Sequence, residues 1–199
     1  MFPEQFQSRV RRAVEAAVSP LAAVGMSPNA ATVLGFLLNV VTAGVIASGH
    51  LSIGGVFLFV SAVFDMLDGA LARVMRRQSS FGAFLDSLLD RYSEAAILAA
   101  LIYVFTVRGQ TAEVVLAYVV AVGSIMISYA RARAEAIGFK ASVGLVARPE
   151  RVILLAVCLI IGQPLWALWA LAILTQITAF TRIAHVWRLA TAESAATKS

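Results

Sequence analysis

Long apolar segments separated by short polar connections make up most of the chain after residue 28. A helix that crosses a membrane needs about 20 predominantly apolar residues. The pattern predicts six spans, at about residues 30–49, 52–76, 82–107, 112–136, 150–162 and 164–190. All five prolines lie between these segments or at their starts, where a missing N–H does least harm. We therefore expect an all-α membrane protein that forms a single domain over residues 1–199.

A further helix is predicted ahead of the first span, at residues 1–20. Apolar side chains recur there at every fourth position: Phe2, Phe6, Val10, Val14 and Val18. Because the arginines of this segment lie on other faces, we expect an amphipathic juxtamembrane helix at the lipid interface. A helix packed against the cytoplasmic ends of the spans is the alternative.

Composition and charge support a membrane protein and predict its orientation. The chain is 60% hydrophobic and only 14% charged, whereas soluble domains are about 45–50% apolar. Its net charge of +5 indicates membrane topology rather than a nucleic-acid partner. With both termini and the loops at 77–81 and 137–149 in the cytoplasm, all 16 lysines and arginines except Arg108 lie at or toward that face. The positive-inside rule therefore predicts a multi-pass cell-membrane protein with both termini cytoplasmic.

Four aspartates interrupt the second and third predicted spans. Asp65 and Asp68 are three residues apart, and Asp86 and Asp90 are four apart, so each pair lies on one helical face. The short connection between the two spans makes them antiparallel neighbours. The four carboxylates are thus expected to converge just below the cytoplasmic surface.

Such a cluster needs a source of positive charge. An isolated acid in a span costs about 2.5–3.5 kcal/mol on insertion scales, and Arg73 and Arg91 cannot balance four carboxylates. Hard oxygen ligands without cysteine or a well-placed histidine favour Mg²⁺ or Mn²⁺, and two such ions would neutralise the cluster. The alternatives are salt bridges that join the helices, or an ion or proton pathway, whose acids are usually spread through the membrane depth.

Small residues lie beside the aspartates. Gly69 and Ala72 follow Asp68, and Gly82 precedes Asp86 by one turn. Glycine inside a helix costs about 1 kcal/mol relative to alanine, so the close approach of a ligand is a reason for its presence, with close helix packing as the alternative. Arg73 is suited to bidentate phosphate binding.

These positions together resemble a known family. The pattern Asp65-x2-Asp68-Gly69-x2-Ala72-Arg73-x8-Gly82-x3-Asp86-x3-Asp90 resembles the signature of the CDP-alcohol phosphatidyltransferases, and the resemblance covers essentially the whole chain. It implies transfer of a phosphatidyl group from a CDP-linked lipid to an alcohol, with release of CMP. It also implies two divalent ions, a cytoplasmic active site and a homodimer.

The resemblance also implies roles for individual residues. Asp65, Asp68 and Asp86 would hold the metal ions, and Asp90 would reach one of them and act as the catalytic base on the acceptor hydroxyl. The residues implied in binding the nucleotide and CDP-lipid are Asn29, Ala30, Ala31, Thr32, Asp68, Gly69, Ala72, Arg73, Ser79 and Gly82. Related sequences often have aspartate at the position of Asn29.

Basic residues in the second half indicate a phosphorylated acceptor. Arg131, Arg151 and Arg182 resemble the acceptor-phosphate residues of the bacterial phosphatidylinositol-phosphate synthase subfamily, which often has lysine at the position of Arg131. The resemblance implies CDP-diacylglycerol as donor and inositol 1-phosphate as acceptor. Three alternatives stay open: glycerol 3-phosphate as acceptor, which gives phosphatidylglycerophosphate, a prenyltransferase with aspartate-rich motifs, and a cation transporter.

Overall fold

The computed structural model describes residues 25–75 and 79–196, without the side chains of residues 66–70, 72–74 and 196. These residues form helices and no strand. The helices are α1 (Pro28–Ala47), α2 (Leu51–Val74), α3 (Ser80–Val107), α4 (Thr111–Ala136), α5 (Arg148–Ile160) and α6 (Pro164–Ala196). The helical fold predicted from the sequence is confirmed for this part of the chain. The predicted helix at residues 1–20 lies outside the described residues.

Two serines fix the starts of α1 and α3. The Ser27 hydroxyl accepts a hydrogen bond from the Ala30 N–H at 3.2 Å, and the Ser79 hydroxyl accepts one from the Gly82 N–H at 2.9 Å. Serine is favoured at such positions because its side chain satisfies an N–H that has no partner within the helix. Both helices begin at the end of the molecule that carries the predicted site.

The helices form a closed ring in which each packs mainly against two others. Around the ring the order is α1, α2, α5, α6, α4 and α3, which returns to α1. Glycines allow two of the closest approaches. A Cβ on Gly55 of α2 would lie 2.7 Å from the Ile160 nitrogen of α5, and one on Gly123 of α4 would overlap Thr175 Oγ1 of α6.

The exterior is apolar, as expected for a protein surrounded by lipid. Large hydrophobic side chains face outward, including Leu37, Val41, Trp166, Trp169 and Phe180. Three of the described helices, α1, α4 and α6, are long and apolar enough to cross a membrane. The chain is therefore a membrane protein, and the six spans stay a prediction, because α5 has only 13 residues and α2 and α3 carry charges.

Candidate active site

Carboxylates from α2 and α3 meet around one arginine from α5. Arg148 Nη2 lies 3.0 Å from Asp65 Oδ2, and Arg148 Nη1 lies 2.7 Å from Asp90 Oδ1. Asp86 is close enough for its charge to act on both of these carboxylates. Asp65 and Asp90 are thus brought together around Arg148, with Asp86 near enough to act on both through its charge.

The fourth predicted aspartate lies near the end of α2 with three other predicted residues. Asp68, Gly69, Ala72 and Arg73 belong to the last two turns of α2, and their side chains lie outside the described ones. The predicted roles of these residues in metal and nucleotide binding therefore stay predictions.

A glycine of α1 makes room for one of the carboxylates. A Cβ on Gly35 would lie only 2.8 Å from Asp65 Oδ1, which is closer than real Cβ contacts allow. A side chain at position 35 would therefore force the Asp65 carboxylate to shift from this position. The sequence reasoning missed this residue, because nothing in a one-chain pattern links α1 to Asp65.

The predicted nucleotide residues of α1 and α3 lie next to one another. A Cβ on Gly82 would lie 2.9 Å from Asn29 Oδ1 and 3.0 Å from Ser79 Oγ, so these three residues enclose a small space where both helices begin. Peptide dipoles make a helix N-terminus favourable for negative charge. Two adjacent N-termini suit a diphosphate.

The other residues predicted on the first turn of α1 differ in exposure. Ala30 is exposed, whereas Ala31 is 2% exposed and packs inside the bundle. The Thr32 hydroxyl donates to the Pro28 carbonyl at 3.1 Å. Ala31 thus contributes packing here, and Ala30 and Thr32 lie nearer the surface.

Arg151 is held by a carboxylate that the sequence reasoning did not select. Its Nε and Nη2 each lie 2.9 Å from an oxygen of Glu94, and the two side chains are 3% and 14% exposed. A two-point pair of this kind fixes the plane of the guanidinium. Glu94 follows Asp90 by four residues, so its position on the same face of α3 was a signal available in the sequence.

Arg182 and Arg131 extend the positive charge away from the aspartates. Arg182 is 9% exposed and donates to the backbone carbonyls of Val143 and Ile127, which ties the 137–147 connection to α6. Arg131 is exposed and pairs with Glu135 at 2.8 Å. Arg182 is near enough to feel the charges of both Arg131 and Arg151, so the three predicted acceptor arginines form one basic region.

A groove of about 140 Å³ leads from the outer surface of α2 and α5 to the charged cluster. Its apolar walls are formed by Phe59, Ala62, Val63, Val152 and Ile153. Asp65 and Arg148 lie at its polar end. The groove gives an amphipathic molecule a place for its apolar part beside the carboxylates.

The chemistry of the carboxylates fits a divalent cation. Every donor is a hard oxygen, and Asp65 and Asp90 already hold one positive group between them, which is the charge arrangement that a metal ion would satisfy. The described side chains do not by themselves bring three metal ligands together. Asp68, the fourth predicted ligand, is not among them.

Fold and site together define a helical membrane protein with facing acidic and basic side chains at one end. A family model described as CDP-alcohol phosphatidyltransferase matches residues 25–191. The chain belongs to this family of phosphatidyltransferase enzymes, which confirms the resemblance seen in the sequence.

Individual relatives are similar over most of their length. A phosphatidylinositol phosphate synthase of Mycobacteroides abscessus is 38% identical over 174 residues, which cover 83% of this chain and 79% of the relative. An archaetidylinositol phosphate synthase of Pyrococcus horikoshii is 33% identical over 180 residues, which cover 90% of this chain and 93% of the relative.

Solved structures of the Mycobacterium tuberculosis phosphatidylinositol phosphate synthase have a similar fold. The structure with bound CDP-DAG superposes with a TM-score of 0.83 at 31% identity and covers 88% of this chain and 94% of that one. The structure with manganese and citrate has a TM-score of 0.80 at the same identity, with 87% and 88% covered.

Proposed function

We propose that this protein transfers a phosphatidyl group from CDP-diacylglycerol to inositol 1-phosphate and releases CMP. The observation that carries the proposal is the meeting of Asp65 of α2 and Asp90 of α3 with Arg148 of α5, beside the apolar groove. A lipid diphosphate and a phosphorylated polyol need such a combination of charges. The relatives named as phosphatidylinositol phosphate synthases support the choice of substrates.

The aspartates have divided roles in this proposal. Asp65, Asp68 and Asp86 would hold two Mg²⁺ or Mn²⁺ ions, and the manganese in the mycobacterial structure supports a divalent metal. Bound divalent ions supply neutralisation of the diphosphate and of the departing CMP. Asp90 would reach one of these ions and take the proton of the acceptor hydroxyl. The hydroxyl oxygen would attack the phosphorus attached to the diacylglycerol, and the bond from this phosphorus to the bridging oxygen would break, so that CMP leaves with that oxygen.

The donor lies with its polar part against Asn29, Ser79 and Gly82 in this proposal. The adjacent N-termini of α1 and α3 favour its negative diphosphate. Its apolar part follows the groove between α2 and α5 into the surrounding lipid. Gly69, Ala72 and Arg73 are proposed to complete the nucleotide contacts, and Asp68 is shared with the metal site.

The acceptor is proposed to be held by its phosphate at Arg131, Arg151 and Arg182. Arg131 has the most accessible guanidinium of the three, since its side chain is 54% exposed. Arg151 is oriented by Glu94, which leaves Nη1 for a ligand. A phosphate at this basic region gains charge-assisted hydrogen bonds that an unphosphorylated polyol lacks.

Six membrane spans, cytoplasmic termini and a cytoplasmic active site are part of the proposal, as is a homodimer. The ends of the helices support a single location for the site, because α1, α3 and α5 begin and α2, α4 and α6 end on the same side if every helix crosses. The basic residues concentrate on that side, as the positive-inside rule requires of the cytoplasm.

A panel of acceptors tests the proposal. Purified protein is supplied with CDP-diacylglycerol, Mn²⁺ and inositol 1-phosphate, glycerol 3-phosphate, free inositol or no acceptor, and CMP release is measured. We expect the highest kcat/KM with inositol 1-phosphate and little release with free inositol. Preference for glycerol 3-phosphate would instead assign a phosphatidylglycerophosphate synthase, and no CMP with any acceptor would contradict the proposed chemistry.

A further inference from the structure

Arg148 occupies a position between the two carboxylates that face each other across the site. It lies at the first residue of α5, yet its guanidinium joins Asp65 of α2 to Asp90 of α3 at 3.0 and 2.7 Å. Each terminal nitrogen contacts a different carboxylate, so the planar guanidinium bridges the two aspartates. The sequence analysis assigned this residue no role in the site.

Apart from these two aspartates, little in the surroundings of Arg148 holds its side chain in place. A cation at a helix N-terminus is disfavoured by the helix dipole. The side chain is only 19% exposed, and its Nε is buried without a hydrogen-bond partner. The two carboxylates therefore account for most of what keeps the guanidinium in place.

The same carboxylate oxygens are the ones that a divalent ion would use. Asp65 and Asp90 belong to the proposed metal ligands, and a guanidinium at 2.7–3.0 Å from them would lie within a few ångströms of any ion bound there. At such a distance two cations repel each other strongly, and burial weakens solvent screening. Arg148 and a divalent ion bound at these oxygens would thus compete for Asp65 and Asp90.

We propose that Arg148 is a built-in counterion of the aspartate cluster, which must move off Asp65 and Asp90 for a divalent ion to bind and thereby sets the metal affinity of the enzyme. This inference deepens the proposed function, since it assumes that the aspartates bind metal. It makes Arg148 a positioning residue, which acts on the metal ligands. The alternative is that Arg148 only links α5 to α2 and α3. In that case the loss of Arg148 should leave the metal affinity unchanged or weaken it.

Manganese binding followed by electron paramagnetic resonance tests the competition directly. The full chain is purified in detergent, and free Mn²⁺ is titrated against wild type, Arg148→Gln, Arg148→Lys and Arg133→Gln. We expect Arg148→Gln to lower the Kd for Mn²⁺ by about tenfold or more, since it removes a charge-assisted competitor. Arg148→Lys keeps the charge but loses the two-sided geometry, so its Kd should fall between those of Arg148→Gln and wild type.

Arg133→Gln is the matched control. Arg133 is exposed near the end of α4 and is not assigned to the site, so its loss removes the same net charge from the protein without freeing Asp65 or Asp90. Its Kd should stay within about twofold of wild type. An equal gain in Mn²⁺ affinity in Arg133→Gln would mean that the lower net charge alone causes the gain, and it would overturn the proposal.

Thermal unfolding gives a second readout. Without metal, Arg148→Gln should unfold at a lower temperature than wild type, because two carboxylates lose their counterion. Added Mn²⁺ should raise its unfolding temperature by more than it raises that of wild type. If Arg148→Gln does not give a monodisperse protein, Arg148→Lys is tested in the same way.

The results separate this inference from the proposed function. An unchanged or weaker Mn²⁺ affinity in both Arg148 variants, with wild type still binding Mn²⁺ and releasing CMP, overturns the counterion role alone. No Mn²⁺ binding and no CMP release by wild type would contradict both.

Discussion

Asp90 has more charged neighbours than the other described aspartates. Its carboxylate lies 2.7 Å from Arg148 Nη1 and 3.5 Å from Arg91 Nη1, and the charges of Asp86 and Asp65 act on it. A carboxylate shared among several positive groups is held in a defined orientation. That is a requirement for a general base, which must meet the acceptor hydroxyl within hydrogen-bond distance.

Replacement of Asp90 by asparagine should separate turnover from donor binding. The amide keeps the shape but cannot accept the hydroxyl proton, so kcat should fall by about 10²–10⁴, whereas the Kd for CDP-diacylglycerol should change little. Steady-state CMP release and binding of the radiolabelled donor measure the two quantities. Glu113→Gln, at the far end of the bundle in the first turn of α4, is the matched control and should behave as wild type.

A fall in donor affinity as large as the fall in kcat would assign Asp90 to donor binding rather than to proton transfer.

The buried pair of Arg151 and Glu94 joins two helices, and its loss is costly because each charge depends on the other. With side chains 3% and 14% exposed, removal of one partner leaves a charge with little access to water. Arg151→Ala alone would therefore mix a loss of acceptor binding with a loss of stability. A double variant that removes both Arg151 and Glu94 separates the two effects.

Arg151→Ala should destabilise the protein by about 3–5 kcal/mol, and the double variant Arg151→Ala/Glu94→Ala should be more stable than this single variant. The physical reason is that the double variant has no orphan charge. Unfolding in mixed detergent micelles measures the difference. Among folded variants, the KM for the phosphorylated acceptor should rise while the donor KM stays near wild type. A loss of donor binding with unchanged acceptor affinity would mean that Arg151 does not contact the acceptor.

At the scale of helices, Gly55 sets the distance between α2 and α5. A Cβ there would lie 2.7–2.8 Å from the Ile160 nitrogen and the Ala156 carbonyl, and backbone atoms cannot move aside as a side chain can. The close contact between α2 and α5 at Gly55 thus positions α5, whose first two turns carry Arg148 and Arg151.

Gly55→Ala should therefore lower stability by about 1–3 kcal/mol and reduce activity by displacing α5. Gly44→Ala is the control: Gly44 is also in a helix, but nothing lies within 4 Å of the added Cβ, so the change should be neutral or slightly stabilising. Thermal unfolding of the two variants is compared. Equal effects would mean that helix propensity, and not the α2–α5 contact, decides the outcome.

The hydrophobic pattern was sufficient to predict the helices of the described residues but not all of their ends. Most bounds differ from the prediction by two residues or fewer, whereas α6 ends at Ala196 rather than near residue 190. Apolar patterning reports burial in lipid, and a helix can continue into water beyond the membrane. The last turns of α6 are exposed, so the sequence there lacks the continuous apolar residues from which the spans were predicted.

The site could be predicted in part for a similar reason. Regular spacing along α2 and α3 identified Asp65, Asp86 and Asp90. The same four-residue spacing continues from Asp90 to Glu94, which the sequence analysis did not select. Arg148 and Gly35 could not be found in this way, because their contacts with Asp65 come from α5 and α1. Such contacts depend on the order of helices around the ring, which a single sequence does not reveal.

The bundle brings the site-bearing parts of all six described helices together. Asp65 lies toward the end of α2, Asp86 near the start of α3, and Arg148 at the start of α5. If each helix crosses the membrane, these parts share one side. Basic residues favour the cytoplasm for that side.

The orientation of the chain in the membrane can be tested with variants that each carry a single introduced cysteine. In a Cys158→Ser background, Gln110→Cys places a thiol in the connection after Arg108, and Ser142→Cys places one in the connection between α4 and α5. A membrane-impermeant maleimide applied to intact cells should label position 110 and leave position 142 unlabelled until the membrane is opened. The reverse result would invert the proposed orientation.

The proposed function requires the aspartates of α2 and α3 to bind the divalent metal used in catalysis. Anomalous scattering at the manganese edge, from crystals of wild type soaked with Mn²⁺, shows where the metal binds. We expect anomalous peaks at about 2.0–2.4 Å from carboxylate oxygens of Asp65, Asp68, Asp86 or Asp90, with Arg148 no longer on Asp65 and Asp90. Manganese bound elsewhere in the molecule, with these four carboxylates free of it, would mean that the aspartates are not the metal site.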